Sequence, residues 1–480
     1  MTLLGKKYQR TTFFSVFFVA VMLGLGAAKF SDTRMDVSFL LLSVLILLCV
    51  VKKCSIGLLA AVFLCGFVGG WWRGGVFLQK VAPYTMYEDA KVVVRVRADT
   101  SAVYGKNAQL EFEATHIELL QPQELSLPGK MAISGYGENS ILRGDTVLVE
   151  GKLYKRRGSK IAGISYGKIE VVQRSSSALE ALRRNFLAGL ATSLPEPHDQ
   201  FAAGLLVGQR SELDEDVTST LRTVGLSHII AVSGYNLTIL AEFARKRFGK
   251  KSQFRKAFFS ICFVLGFVAI AESSASISRA AMVSLLTIIA AYYGRTFKPH
   301  VLLLFVACIT AVLNPLNIWS DVGWYLSFLA FFGVLIIAPI WTKRLYKQKE
   351  PKLIAKLVIE TIAAQIATLP LILFLFGELS TVSLLANMLV VPFVPLAMLL
   401  SFVAGLAGML VPMYALLLGW PARVLLDFML SVSAVLARIP HAFVHSSLPA
   451  WGMLFLYGVI LLSIVVMQKK IKKNGILLKS

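Results

Sequence analysis

The chain is short of charge, and shorter still of acid. Only 16% of its 480 residues are charged, and 27 acids face 49 lysines and arginines, while hydrophobic residues reach 56%. So apolar a composition excludes an ordinary soluble enzyme. Cysteine is scarce as well. Cys49, Cys54, Cys65, Cys262 and Cys308 form no C-x-x-C pair, so zinc knuckles and dithiol redox motifs are excluded. All five lie in or beside apolar runs and read as buried free thiols. The six histidines are scattered; His441 and His445 have helical spacing, but no Glu follows His441, so the zinc-protease helix is missing. No Walker P-loop occurs either. The residues call for no metal and no cofactor.

What the chain does have is hydrophobic runs. A hydrocarbon core about 30 Å thick takes about 20 apolar residues to cross as a helix. Runs at 12–28, 37–51 and 56–72 approach that length, and they resume from 226 to 467. The expected fold is a polytopic α-helical membrane protein with an inserted extracytoplasmic OB-like β domain, crossing the bilayer about twelve times. Lys6, Lys7 and Arg10 precede the first run, and Lys52 and Lys53 follow the second. Further basic clusters stand at Arg245, Lys246, Arg247, Lys250, Lys251, Arg255 and Lys256, at Lys343 and Arg344, and in the tail. Basic loops stay cytoplasmic, against anionic lipid. Both termini therefore read as cytoplasmic and the polar insert as outside, in the cell (cytoplasmic) membrane. The first run reads as an uncleaved signal anchor. The expected order is N-terminal helices (1–75), β domain (88–174), amphipathic interfacial helices (178–225), a membrane domain (226–468) and a basic cytoplasmic tail (469–480).

The insert alternates apolar and polar residues in short stretches, such as Val92-Val93-Val94-Arg95-Val96-Arg97, separated by Pro128-Gly129, Gly144-Asp145 and other turn signals. About five strands in so short a segment fit a small Greek-key barrel of the OB type. Tyr154, Lys155, Arg156, Arg157, Lys160 and Tyr166 form a basic, aromatic hairpin. It suits single-stranded nucleic acid, whose bases stack on aromatic rings and whose phosphates meet cations. A solvated turn has the same composition, and both readings stand at this level.

Polar residues inside the apolar runs are the other candidates, because an unpartnered polar group in hydrocarbon is costly. They are His228, Ser233, Gly234 and Asn236; Ser278 and Arg279; Asp321 and Ser327; Gln365; and Asn387. Their spread over separate helices suggests one shared polar cavity, with Asn387 near a re-entrant turn and the Ser233-Gly234 pair at a helix break. Interhelical hydrogen bonding is the plainer alternative, and Arg279 could serve structurally against Asp321.

At these residues the chain resembles the ComEC family of competence proteins. The resemblance lies in "LLVGQRSELDED" and "GLSHIIAVSGYNL" between 205 and 237, "SISRAAMVS" at 276–284, "NPLNIWSDVGWYLSFLAFFGVLI" from Asn314, and "AQIATLPLILFLFGELSTVSLLANMLVVPFVPL" from Ala364. It implies a channel for single-stranded DNA during natural transformation. It also implies membrane lipids around the chain, a DNA receptor outside, a cytosolic ATP-driven motor and a separate nuclease; homo-oligomerisation is left open. Two departures stand out. The family has Gly-Leu-His where this chain has Gly234-Tyr235-Asn236. Many members continue into a metallo-β-lactamase-like domain, whereas these residues hold no H-x-H-x-D-H cluster. The expectation is therefore a form lacking that domain, with no catalytic residues and no enzyme activity. The rival readings are a secondary transporter of a small solute and an envelope-assembly membrane protein using His228 and Asp321.

Overall fold

The computed structural model describes residues 9–30, 37–50, 56–105, 109–137, 140–155, 158, 160–208, 213–230, 253–271, 275–295, 298–346 and 351–473. The helices begin α1 (Arg10–Ala28), α2 (Val37–Val50), α3 (Ile56–Met86), α4 (Ala178–Ser193), α5 (His198–Val207), α6 (Glu215–Thr223), α7 (Ser227–Ile230), α8 (Gln253–Ile270) and α9 (Ala275–Tyr292). They continue as α10 (Pro299–Leu313), α11 (Leu316–Trp319), α12 (Val322–Phe332), α13 (Ala338–Tyr346), α14 (Leu353–Leu375), α15 (Ser383–Val390), α16 (Val394–Leu410), α17 (Ala415–Ala437) and α18 (Ala450–Lys473). Among the described residues, eight helices are long and apolar enough to cross a bilayer, and Ser276–Tyr292 and Pro299–Leu313 are shorter apolar ones. The chain is a polytopic membrane protein with a β domain. The expected count of about twelve crossings includes residues 231–252, which lie outside the described residues. Contacts divide the chain into two compact units, 1–180 with 300–325, and 181–299 with 326–480.

In the first unit α1 and α3 pack backbone to backbone. A Cβ on Gly24 would lie 2.0 Å from the Phe67 carbonyl oxygen, and one on Gly70 would lie 2.1 Å from that of Val21. Small residues allow this approach where lipid gives helices no hydrophobic reason to associate. Helix α3 outlasts its apolar run and continues to Met86. Its Tyr84 Oη donates to the Pro128 carbonyl at 3.0 Å, and Phe77 and Tyr84 share one core with the barrel.

The β domain comprises β1 (Lys91–Ala98), β2 (Val103–Tyr104), β3 (Leu110–Gln121), β4 (Leu125–Leu127), β5 (Met131–Gly137), β6 (Thr146–Lys155) and β7 (Ala162–Gln173). Five strands run in the order β1-β6-β7-β5-β3, and the pairing of β1 with β3 closes the ring. Only β5 and β7 pair in parallel. This is the order of an OB barrel. Alternation in β1 sends Val92, Val94, Val96 and Ala98 inward. At the parallel pair Gly135 faces Gly167, and a Cβ on Gly135 would sit 2.0 Å from the Gly167 carbonyl oxygen. The wholly buried Asp145 ties β6 to the end of β7. It accepts from Arg174 Nη1 at 2.8 Å, Ser175 N at 2.8 Å and Leu142 N at 3.1 Å.

In the second unit the expectation of interfacial helices needs one correction. His198 and Phe201 to Val207 of α5 are buried, within a core that α16 and α17 complete. The stretch Phe201-Ala202-Ala203-Gly204-Leu205-Leu206-Val207 is apolar all round, so it has no face to give to water. Helix α4 docks closely: a Cβ on Gly189 would lie 2.4 Å from the Gly405 carbonyl oxygen, and Ser193 Oγ donates to the Ala404 carbonyl at 2.7 Å. Helix α6 does keep a polar face, with Leu221 buried. Helices α15 and α16 run as one span, Ser383–Leu410, interrupted by a 3-10 turn at Val391–Phe393. Pro392 and Pro395 lack the donors a continuous helix needs. Asn387 lies in the helix before this interruption.

Candidate functional site

Two stretches that interrupt helices meet in the second unit. One joins α6 to α7; the other joins α14 to α15 through a short strand, β8 (Glu378–Ser380). This strand pairs with β9 (Phe443–His445). Gly225, at φ +75°, ends the first stretch and lies against the second. A Cβ there would stand 2.7 Å from Ser383 Cβ and 3.4 Å from Ser380 Cβ. His228 Nδ1 is 3.1 Å from the Gly225 carbonyl oxygen. Gln365 Nε2 donates to Ser383 Oγ at 3.2 Å, and Ser383 Oγ donates to the Ser380 carbonyl at 3.0 Å. Arg222 Nη2 reaches both Glu378 carboxylate oxygens, at 2.9 and 2.7 Å, and ties the two stretches at their rim.

Asn387 lies one turn beyond Ser383 on α15 and is buried. Among the described residues its Oδ1 has no hydrogen-bond partner, and neither does Ser380 Oγ. An unsatisfied buried acceptor costs about 1–3 kcal/mol, so each one calls for an explanation.

Of the predicted polar residues, His228 and Gln365 therefore converge through Gly225 and Ser383, with Asn387 adjacent in the helix. Ser233, Gly234 and Asn236 lie outside the described residues. Arg279 is buried on α9, its guanidinium carbon 5.8 Å from the centre of the Phe328 ring. Ser278 is exposed and Ser327 half-buried. Asp321 heads α12, its Oδ1 accepting from Trp324 N at 3.3 Å, the geometry of an N-cap. Gly225, Ser380 and Ser383 were not singled out in the sequence. Their only signal was glycine and serine beside apolar runs, which any turn shares.

On the barrel, two of the six predicted hairpin residues are held in local contacts. Lys160 Nζ pairs with Glu113 Oε1 at 2.7 Å. The Tyr154 ring covers Gly163, where a Cβ would lie 2.6 Å from its Cζ. Ser320 Oγ donates to the Gly158 carbonyl at 2.6 Å. Lys155 is exposed; Arg156 and Arg157 lie outside the described residues. Tyr166 is 70% exposed and faces Tyr136, 46% exposed, with ring centroids 6.5 Å apart. Gln109 Nε2 donates to Tyr136 Oη at 3.2 Å. Tyr136 lies near the end of β5, in register with Lys168, two residues beyond Tyr166 on β7. The outer charges of β6 and β7 are neutralised in pairs: Lys91 holds the Glu150 carboxyl below its ordinary pKa, and Glu170 holds the Lys168 ammonium above its own.

The model of the family described as "Competence protein" matches residues 205–470. The chain belongs to the competence protein family. Both stretches that meet at Gly225 lie within the matched residues, and the barrel precedes them. Another member to which the chain is similar is ComE operon protein 3 of Bacillus subtilis (strain 168), 23% identical over 303 residues. That alignment takes in 60% of this competence protein but only 37% of the relative's length. No solved structure matches the chain.

Proposed function

We propose that this competence protein is a channel that passes single-stranded DNA across the cytoplasmic membrane during natural transformation. The observation that carries the reading is the meeting of two connecting stretches at Gly225, Ser380 and Ser383 inside the family-matched segment. Polar groups within a membrane domain face protein or water and turn away from lipid. Oxygens of Ser380 and Asn387 without hydrogen-bond partners among the described residues make this meeting point hydrophilic. The OB order of the barrel supports the same reading, because barrels of this order commonly hold single strands.

In this scheme the termini and the basic loops lie in the cytoplasm and the barrel lies outside, following the positive-inside rule. A receptor outside delivers DNA, a nuclease removes one strand, and a cytosolic ATP-driven motor draws in the other. The test is uptake of labelled duplex DNA by cells with and without the gene. Deletion should leave DNA bound at the surface while lowering the nuclease-protected, internal label at least 100-fold. Equal internal label in both strains would end the proposal.

A further inference from the structure

Helix α17 carries two charges at the depth where a membrane span has least use for them. Arg423 and Asp427 lie within about 4 Å of the middle of the span Pro412–Ala437. About 15 Å of hydrocarbon then separates each from the headgroups, too far for a side chain to snorkel. Both residues are exposed. The Asp427 side chain is 67% exposed, although its Oδ1 lies 3.5 Å from Nε2 of the buried His198. Among the described residues Arg423 makes no ion pair, with Asp427 only one turn away. Charges within a membrane segment turn towards protein or water and away from lipid, so this face has a cover.

The face also has a regular pattern. Leu416 and Trp420, 68% and 61% exposed, share it with the two charges. The steps from 416 to 420, 423 and 427 alternate four, three and four, as in a coiled-coil seam. At about 100° per residue all four positions fall within about 60°. The face that α17 buries in its own unit, through Ala422, Leu426 and Met429, centres about 120° away. The seam is therefore a second packing face, and its charges select the occupant. It holds one cation and one anion a turn apart, so it complements a copy of itself. Two copies in one membrane share one topology, and a two-fold axis along the membrane normal sets α17 parallel to α17. Arg423 of each copy then stands beside Asp427 of the other, in adjacent layers of the seam. Trp420 packs against Trp420 one layer out.

We propose that the protein forms a two-fold homodimer through Leu416, Trp420, Arg423 and Asp427 of α17, with two reciprocal Arg423–Asp427 pairs inside the membrane. Such pairs set partner and register more than strength. The contact does not depend on the DNA-channel reading.

The test uses the full chain in membranes, with its five cysteines replaced. Single cysteines are introduced on the seam by Leu416→Cys and Trp420→Cys. Phe428→Cys and Val435→Cys mark exposed apolar positions off it. Oxidation with copper phenanthroline should convert at least half of each seam variant to a disulfide dimer, and less than a tenth of the other two. Equal cross-linking at all four positions would overturn the dimer. So would cross-linking of the seam only to a different protein. Fast reaction of the Trp420→Cys thiol with a charged methanethiosulfonate reagent, without a cross-link, would overturn it too, because the face would then be wet. The charges are tested between copies. Differently tagged chains, one with Arg423→Asp and one with Asp427→Arg, should co-purify at least five times better than either variant with its own kind. Only the mixed pair restores opposite charges across the axis. Equal recovery would overturn the reciprocal pairs, and with them the choice of occupant. Should either charge variant fail to accumulate, the cross-linking comparison decides.

Discussion

Gly225 is the residue on which the polar cluster depends. Its left-handed backbone alone makes a side chain unfavourable by about 1–2 kcal/mol. A Cβ would also meet Ser383 Cβ at 2.7 Å, well inside ordinary contact. Gly225→Ala should therefore push the two stretches apart, lower the thermal midpoint of the purified protein and cut transformation at least ten-fold. Gly266→Ala is the control, since nothing lies within 4 Å of a Cβ there; it should change neither quantity. At this scale the sequence was half legible. His228, Gln365 and Asn387 stood out because polar groups in apolar runs need a reason. Gly225, Ser380 and Ser383 did not, because glycine and serine are common in turns and only their approach in space distinguishes them.

Among the elements, the pair α1 and α3 owes its closeness to glycines on one face of each helix. Gly70→Leu would drive a side chain into the Val21 carbonyl, 2.1 Å from where even its Cβ must go. Overpacking of this kind costs typically 1–3 kcal/mol, and here backbone has no rotamer with which to give way. The variant should accumulate at less than half the normal level in membranes, measured by immunoblot. Gly75→Ala, with open space around its Cβ, should accumulate normally. Both helices were legible as spans from length and apolarity, but their contact was not, since glycine in an apolar run marks only permission to approach. Helix α5 went the other way. It was grouped with the amphipathic helices of 178–225, while its body is apolar on every side and buried.

For the molecule as a whole, the barrel was the most legible part. Period-two alternation and turn residues specify strands, and about five short strands in one insert leave few closed arrangements. Its working surface was harder to see, because composition cannot tell a free lysine from one spent on Glu113. The exposed ring pair Tyr136 and Tyr166 is now the better candidate for base stacking. In the purified full-length protein, Tyr166→Ala should weaken single-stranded DNA binding by about 1–3 kcal/mol, the worth of one stacked base. Lys160→Ala should change affinity less than three-fold, as measured by fluorescence anisotropy at low salt. Equal losses from both would return the hairpin to the interface. The continuity of α3 into this barrel has a mechanical meaning. Only Tyr87 to Ala90 separate the helix from β1, and Asp89 N and Ala90 O both bond to Leu153, so the junction has no slack. Any load on the barrel is borne along α3, on a column of backbone hydrogen bonds braced by α1. The barrel is thus mounted rigidly on α3 and has no linker about which to swing.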